Sequence, residues 1–403
     1  MATDLRREIF RGMYNPIYRN SEKDDEDLKQ SNHASPSSSS GWFSSIRLPR
    51  RQAIIGFLNV LLFFIFMWHL PLLQLHSAGH SFIPSSASRP PPVPHTQPAP
   101  DFAPSVIHPS TKKSRDQLLS QAKELSKIGL PQKIWQTWKT ISLPDLETFN
   151  RQRTWLGLNP THEYELLTDR SALEYVTKEF NHTDPYIVYL YENFPQRILA
   201  ADLLRYLIAY KSGGLYSDID TECQVPIDGW LSQAMGNITD VKKTDVNIVV
   251  GMELDILNKT QYSDKWVIDA GFSQRIQFLQ WSIYAKPGHE ILRRMITSVQ
   301  EAVRADIEAL ESKSVKGLKY NETKILDTTG PFRWTQTIFE YVNDITGRKV
   351  PLEEYSGITE GKVFGDVLFL PVNRWSPGVG HSNSGGDETS FLIHHFKSTW
   401  RDG

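Results

Sequence analysis

The run from Ile198 to Asp220, ILAADLLRYLIAYKSGGLYSDID, constrains the fold more than any other stretch of the chain. Leu204, Leu207, Ile208 and Lys211 recur at helical spacing, with Ile198 and Ala201 one turn earlier, so its first part predicts an amphipathic helix. Asp202, Arg205 and Tyr206 stand at i, i+3 and i+4 and share a different face of that helix. Gly213 predicts a left-handed stop, because it lacks the Cβ that would clash there. Leu215 and Tyr216 then open an extended stretch with Asp218 and Asp220 at its far end, where ligands of open α/β sheets collect. Residues two apart on an extended segment point to one face, so the two carboxylates are expected side by side. A hard divalent cation needs such a pair when it also holds the diphosphate of a substrate.

An Asp-x-Asp pair also arises by chance in a chain of this size. Asp25-Glu26-Asp27 has the same spacing inside a polar, charged tail, where it reads as solvated charge. The helix, the glycine pair and the apolar strand that lead into Asp218 and Asp220 set them apart. A phosphatase-type Asp-x-Asp-x-Thr nucleophile is set aside, because Glu222 occupies the third position. Cys223, the only cysteine, reads as a buried spectator thiol rather than a nucleophile.

The 403 residues, with a formal net charge of −2, suffice for one large domain plus appendages and give no hint of a nucleic-acid surface. Residues 1–52 are polar and serine-rich and are expected to be a disordered cytosolic tail. Residues 53–73 are almost wholly apolar and approach the roughly 20 residues that cross a bilayer. Arg47, Arg50 and Arg51 precede this stretch and no Lys or Arg follows until Arg89, so the positive-inside rule places the rest of the chain in the lumen. Four sequons, at Asn181, Asn237, Asn258 and Asn321, all follow the span. Residues 74–115, with nine prolines between 84 and 109, read as a semi-extended stem. The compact domain is expected over 116–403, entered through a capping box at Ser114 and Gln117.

Within the domain, strands are expected at Lys133–Trp138, Val246–Val250, Phe278–Tyr284 and Val363–Leu370, with a short one at Glu163–Leu167. Residues 160–215 are otherwise mostly helical, and Glu290–Leu310 forms a long helix. This alternation predicts an α/β layered sheet.

Six spaced blocks carry a resemblance. They are Ile134-Trp-Gln-Thr-Trp-Lys139; Ala201-Asp-Leu-Leu-Arg-Tyr206 with Gly213-Gly214 and Asp218-Ile-Asp220; Gln277-Phe-Leu-Gln-Trp281 with Lys286-Pro-Gly-His289; Thr329-Gly-Pro331; Ser376-Pro-Gly-Val-Gly380; and His394-His395 with Ser398 and Trp400. In this order, over residues 128–401, the chain resembles glycosyltransferase family 32, and more narrowly the fungal Golgi initiation-specific α-1,6-mannosyltransferases. The resemblance implies a GT-A, Rossmann-like fold, GDP-mannose as donor, a Mn²⁺ cofactor, and transfer with retention to mannose on a glycoprotein N-glycan. It also implies a single-pass type II Golgi membrane protein, open to partners in a mannosyltransferase complex.

The same resemblance implies the site. Asp220 would hold the metal directly, and Asp218 would contact ribose and sugar hydroxyls and reach the metal. His395 would be the third protein ligand, although spacing alone leaves His394 open in that role. Ser398 and Trp400 would approach the metal and β-phosphate. Asp202 and Arg205 match, in spacing, residues that hold donor-sugar hydroxyls in the related clostridial glucosylating toxins, or form a plain i,i+3 surface ion pair, and Tyr216 either lies near the ribose or is a core tyrosine. Trp138 either stacks on the guanine or is a strand-end core residue, and Gln280 either acts near the β-face of the sugar or is an ordinary buried amide. Ser376–Gly380 and Ser384–Gly386 read as a mobile loop. Other readings remain: another family 32 activity with a different donor or a lipid acceptor, and a non-catalytic subunit of a mannan-synthesising complex.

Overall fold

The computed structural model describes residues 112–397 apart from Lys313, Asn383 and Asp387. The expected tail, membrane span, most of the stem, Ser398 and Trp400 lie outside the described residues. Among those described, no helix is long and apolar enough to cross a membrane.

The strands are β1 (Lys133–Trp138), β2 (Glu163–Thr168), β3 (Gly214–Ser217), β4 (Thr221–Cys223), β5 (Ile248–Asp255), β6 (Ile276–Ala285), β7 (Lys362–Phe364), β8 (Val367–Leu370) and β9 (Leu392–His394). The helices are α1 (Arg115–Leu125), α2 (Leu146–Leu158), α3 (Asp169–Phe180), α4 (Pro185–Asn193), α5 (Arg197–Lys211), α6 (Trp230–Ala234), α7 (Asp264–Asp269), α8 (Glu290–Ala309), α9 (Glu322–Thr328), α10 (Pro331–Thr346) and α11 (Val372–Trp375). Seven strands form one sheet in the order β2-β1-β3-β6-β5-β8-β7, and β4 and β9 form a separate two-stranded ribbon. β1 runs parallel to β2 and β3, whereas β6 is antiparallel to both its neighbours, β3 and β5. The carboxyl half of β6, from Ser282 to Ala285, pairs with β3, and its earlier residues run on past the carboxyl end of β3. That brings Gln280 and Trp281 to the end of the sheet where Asp218 begins.

Both faces are covered. One carries α5, α8 and α10, with Leu203, Leu207, Met295, Val299, Trp334 and Ile338 fully buried. The other carries an aromatic cluster in which Trp230 meets Trp155, Trp375 and Phe391 at centroid distances of 6.3, 5.7 and 5.5 Å. Fully burying side chains of this size stabilises by roughly 1.5–3 kcal/mol each. Cover on both faces explains why every residue of β6 is buried, including the polar Gln277, Gln280 and Ser282.

The pairing of β5 with β6 slips between Val250 and Leu254. Gly251 sits in this irregularity, where a Cβ would lie 2.6 Å from Trp375. The start of α10 satisfies the backbone groups the slip frees: Trp334 Nε1 donates to the Leu279 carbonyl at 2.9 Å, and the Phe278 amide donates to Thr335 Oγ1 at 3.0 Å.

Most expected elements are present, including the capping box at Ser114. Two differ. The strand expected at 246–250 starts at Ile248 and continues to Asp255. The stretch 363–370 is a hairpin, not one strand: β7 and β8 pair antiparallel about Gly365-Asp366, with Gly365 at φ +61°. A glycine followed by aspartate is a turn composition that the apolar residues on either side mask.

Candidate active site

α5 ends at Lys211 with Ser212 as its cap, and both following glycines adopt left-handed backbone, at φ +67° and +90°. A Cβ on Gly213 would lie 2.7 Å from Pro287, and one on Gly214 would lie 2.6 Å from the Lys133 carbonyl oxygen. The pair lets the chain reverse tightly enough to insert β3 between β1 and β6. β3 ends at Ser217, so Asp218 and Asp220 are not on a strand as expected but in the turn that joins β3 to β4. The Asp218 carbonyl fixes this turn. It accepts hydrogen bonds from Gln136 Nε2 (3.0 Å), the Thr221 amide (3.1 Å) and Thr221 Oγ1 (2.6 Å). The two carboxylates converge through the turn rather than through strand periodicity.

A third group joins them. One ligand atom each from Asp218, Asp220 and His394 lie within 4.8 Å of one another. His394 Nε2 is 3.1 Å from Asp220 Oδ1, and the ring stacks on Trp281 at 4.3 Å. The ribbon sets this contact, because β4 and β9 pair Thr221 with His394. The His395 amide donates to the Asp220 carbonyl at 3.1 Å, and the Lys397 amide donates to Asp220 Oδ2 at 2.9 Å. The imidazole beside the carboxylates is thus that of His394 where the resemblance pointed to His395. Neighbouring residues of an extended chain face opposite ways, and the His395 ring turns to Glu222, with Nε2 3.1 Å from its Oε2.

Next to this cluster lies a buried polar network. Asp202 accepts from Gln280 Nε2 (3.2 Å) and Thr329 Oγ1 (2.9 Å) and pairs with Arg205 Nη2 (3.1 Å). The same guanidinium lies 3.6 Å from Asp218. Tyr206 donates its hydroxyl to Gln280 Oε1, so the Gln280 amide is held at both ends. Tyr216 donates to Asp218 Oδ1 at 2.7 Å and lies 3.3 Å from Thr137 Oγ1. The structure therefore brings Asp202, Arg205, Tyr216, Asp218, Asp220 and Gln280 together.

Burial raises the Asp202 carboxyl to about 6, although Arg205, Thr329 and Gln280 all favour its charged form. Burial also pushes Asp218 upward, and the Asp220 charge adds to this against the pull of Arg205. Asp220 moves the other way: burial would raise it, but His394 and the Lys397 amide together hold it below the usual carboxylate range. Burial tends to lower Arg205, and the flanking Asp218 and Asp202 more than reverse that. Burial lifts the Cys223 thiol to about 11, in keeping with a spectator.

The remaining expected residues lie further out. Trp138 is half-buried at the end of β1, in register with Thr168. The two halves of the expected loop are tied together, with the Gly378 amide donating to the Gly385 carbonyl at 2.8 Å and the Val379 amide to Ser384 Oγ at 2.9 Å. Several members of the site carried no role in the sequence reading. Thr329 stood in one of the six blocks, but only the fold aims it at Asp202. Trp281, Thr137 and the Lys397 amide reach the site from three separate elements, a juxtaposition that spacing within any one of them does not reveal.

Two carboxylates and one imidazole form a donor set that suits Mn²⁺, since carboxylates bind hard cations and imidazole extends the set to first-row metals. With 26% of the Asp218 side chain and 15% of the Asp220 side chain exposed, the cluster also opens to solvent, which leaves coordination positions for phosphate or water.

Comparison with known proteins fixes the class. Residues 147–236, from α2 through the acidic pair, match the family described as a glycosyltransferase sugar-binding region containing a DXD motif. The initiation-specific alpha-1,6-mannosyltransferase of Candida albicans is 30% identical over 290 residues, covering 68% of this chain and 72% of that one. Its Schizosaccharomyces pombe counterpart is 31% identical over 276 residues, covering 68% and 64%, and that of Saccharomyces cerevisiae is 26% identical over 401 residues, covering 72% and 82%. The chain belongs to this family, glycosyltransferase family 32 in its initiation-specific α-1,6-mannosyltransferase branch. It spans 64% of the length of the Schizosaccharomyces pombe relative.

Proposed function

We propose that the protein is a metal-dependent α-1,6-mannosyltransferase with a GT-A catalytic domain, which moves mannose from GDP-mannose to a mannose of an N-glycan with retention of configuration. The observation that carries this reading is the convergence of Asp218, Asp220 and His394 within 4.8 Å, beside the buried Asp202–Arg205 pair. Asp218, Asp220 and His394 would hold Mn²⁺, with His395 close enough along the chain to compete for the role. When bound, the cation neutralises the charge that builds on the departing diphosphate.

Asp202 and Arg205 present one acceptor-only and one donor-only group, suited to neighbouring hydroxyls of the donor sugar. Thr329, Gln280 and Tyr206 hold them in place. Trp138, Ser398 and Trp400 are assigned to the nucleotide and Tyr216 to the ribose. The bond from C1 to the phosphate oxygen breaks, and the acceptor oxygen bonds to C1 on the same face. The acceptor proton leaves with the phosphate, so no covalent carboxylate nucleophile is required.

We place the protein in the Golgi membrane through residues 53–73, with the catalytic domain lumenal. The charge asymmetry about that segment supports this orientation. So does the exposure of all four sequon asparagines, Asn181, Asn237, Asn258 and Asn321. The test is a donor and acceptor screen with the purified full-length protein: several sugar nucleotides against a high-mannose N-glycan and an inositol phosphoceramide, with linkage analysis of the product. GDP-mannose with the N-glycan, forming an α-1,6 bond, is the expected pair. Turnover only with another donor, or only on the lipid, would overturn the reading.

A further inference from the structure

On the far side of the β4–β9 ribbon from the acidic pair lies a cavity of about 180 Å³ lined by Glu147, Asn150, Arg151, Thr154, Glu222 and His395. Arg151 dominates it. This side chain is only 5% exposed, its Nη2 holds Glu147, and its Nη1 is buried without a hydrogen-bond partner. A buried guanidinium N–H left unpaired costs on the order of 1–3 kcal/mol or more, and because Arg151 lines the cavity, a ligand seated there that supplied an acceptor would recover that cost.

The lining indicates what that ligand is. Arg151 and the nearby Lys397 ammonium, which lies 3.2 Å from Glu147 and 3.0 Å from Asp145, face the three carboxylates Glu147, Asp145 and Glu222, so there is no cationic surplus to attract a phosphate. No Phe, Tyr or Trp lines it, so it offers no platform for a nucleobase. It sets an N–H donor at Arg151 near carboxylate acceptors at Glu222 and Glu147, with the Thr154 hydroxyl and the Asn150 amide at the same wall. A sugar ring meets this pattern, because each of its hydroxyls both donates and accepts. The volume suits one ring. Glu222 is two residues beyond Asp220, and His395 follows His394, so the cavity and the acidic cluster share the ribbon as a common wall.

We propose that this cavity is a subsite for one neutral sugar unit of the acceptor, with Arg151 and Glu222 reading adjacent hydroxyls. The inference rests on the mannosyltransferase reading and deepens it by assigning part of the acceptor site. Its test uses the full-length protein with an α-linked mannose oligosaccharide in two assays: direct calorimetric binding without donor, and initial rates with GDP-mannose. Arg151→Met removes the donor while keeping the stem of the side chain, and Asn150→Leu obstructs the cavity from an exposed position.

Both variants are expected to weaken oligosaccharide binding and raise the acceptor KM by about tenfold or more. The donor KM should change less than threefold. Should Arg151→Met fail to fold, Asn150→Leu alone decides. Unchanged oligosaccharide binding and acceptor KM, or a donor KM that rises instead, would overturn the proposal. If the wild type turned over no GDP-mannose yet bound the oligosaccharide through Arg151, the functional reading would fail and the subsite would stand.

Discussion

His394 Nε2 lies 3.1 Å from Asp220 Oδ1, joining a residue near the end of the described chain to the acidic turn after β3. Trp281 fixes the ring by stacking at 4.3 Å, and the β4–β9 pairing fixes its backbone. His395, one residue on, is engaged by Glu222. This arrangement separates two neighbouring histidines by role. His394→Ala is expected to weaken Mn²⁺ binding by at least the roughly 10–100-fold that loss of even an outer-shell partner costs. His395→Ala should cost less. Electron paramagnetic resonance titration of Mn²⁺ in the presence of GDP measures both, and the reverse order would assign the ligand to His395.

Thr329 donates to a carboxylate that is 2% exposed and already holds Arg205. Thr329→Val keeps the shape and removes the donor. A hydrogen bond to a charged group contributes about 1.5–3 kcal/mol, so kcat/KM for GDP-mannose should fall roughly 10–150-fold. The fold should survive, as thermal melting would report. An unchanged kcat/KM would mean that Asp202 does not depend on this contact for its position.

The Asp202 carboxyl, raised to about 6 by burial, makes a signed prediction about stability. Its folded pKa lies above the unfolded value of 3.8, so folding takes up a proton between roughly pH 4 and 6. Stability from this group is full below the lower value and is lost as pH rises through the upper one. Asp202→Asn does not titrate. The unfolding free energy of wild type minus that of Asp202→Asn should therefore fall with rising pH across that window, by roughly 3 kcal/mol. Paired urea melts from pH 4 to 7 measure it, and a difference that rises with pH would contradict the burial of this carboxylate.

The sequence makes the sheet and the helix before the acidic pair legible because both rest on local pattern: α5 is apolar at helical spacing, and β6 is dominated by apolar and aromatic residues between its two glutamines and its serine. It makes the cluster legible only in part. Asp218 and Asp220 were expected on one face of a strand, yet a turn tied to Gln136 and Thr221 unites them, and no period in the sequence encodes that turn. The choice between His394 and His395 depends on the facing of β9 against β4, a contact between segments some 170 residues apart. Thr329, Trp281 and Arg151 gain their roles from tertiary juxtaposition alone. Each is unremarkable in its own segment.

Gly214, at φ +90°, would place an added Cβ 2.6 Å from the Lys133 carbonyl oxygen. Gly214→Ala combines a strained backbone with a clash against β1, and strain of this kind costs about 1–3 kcal/mol before the clash is counted. The melting temperature should drop by several degrees and activity should fall with it, since Asp218 follows within the same strand and turn. A variant that melts as the wild type does would show that β3 has room to shift.

The most direct test of the central claim is the Mn²⁺ dependence of GDP release from GDP-mannose with a high-mannose acceptor, comparing wild type with Asp220→Asn, which keeps the size of the side chain. Wild type should release GDP only when the cation is supplied. The variant should retain its fold and lose roughly 10²–10³-fold in kcat at a Mn²⁺ concentration that saturates the wild type. Equal rates in the two proteins, or a wild-type rate indifferent to the metal, would contradict the assignment of the acidic turn as the cation site.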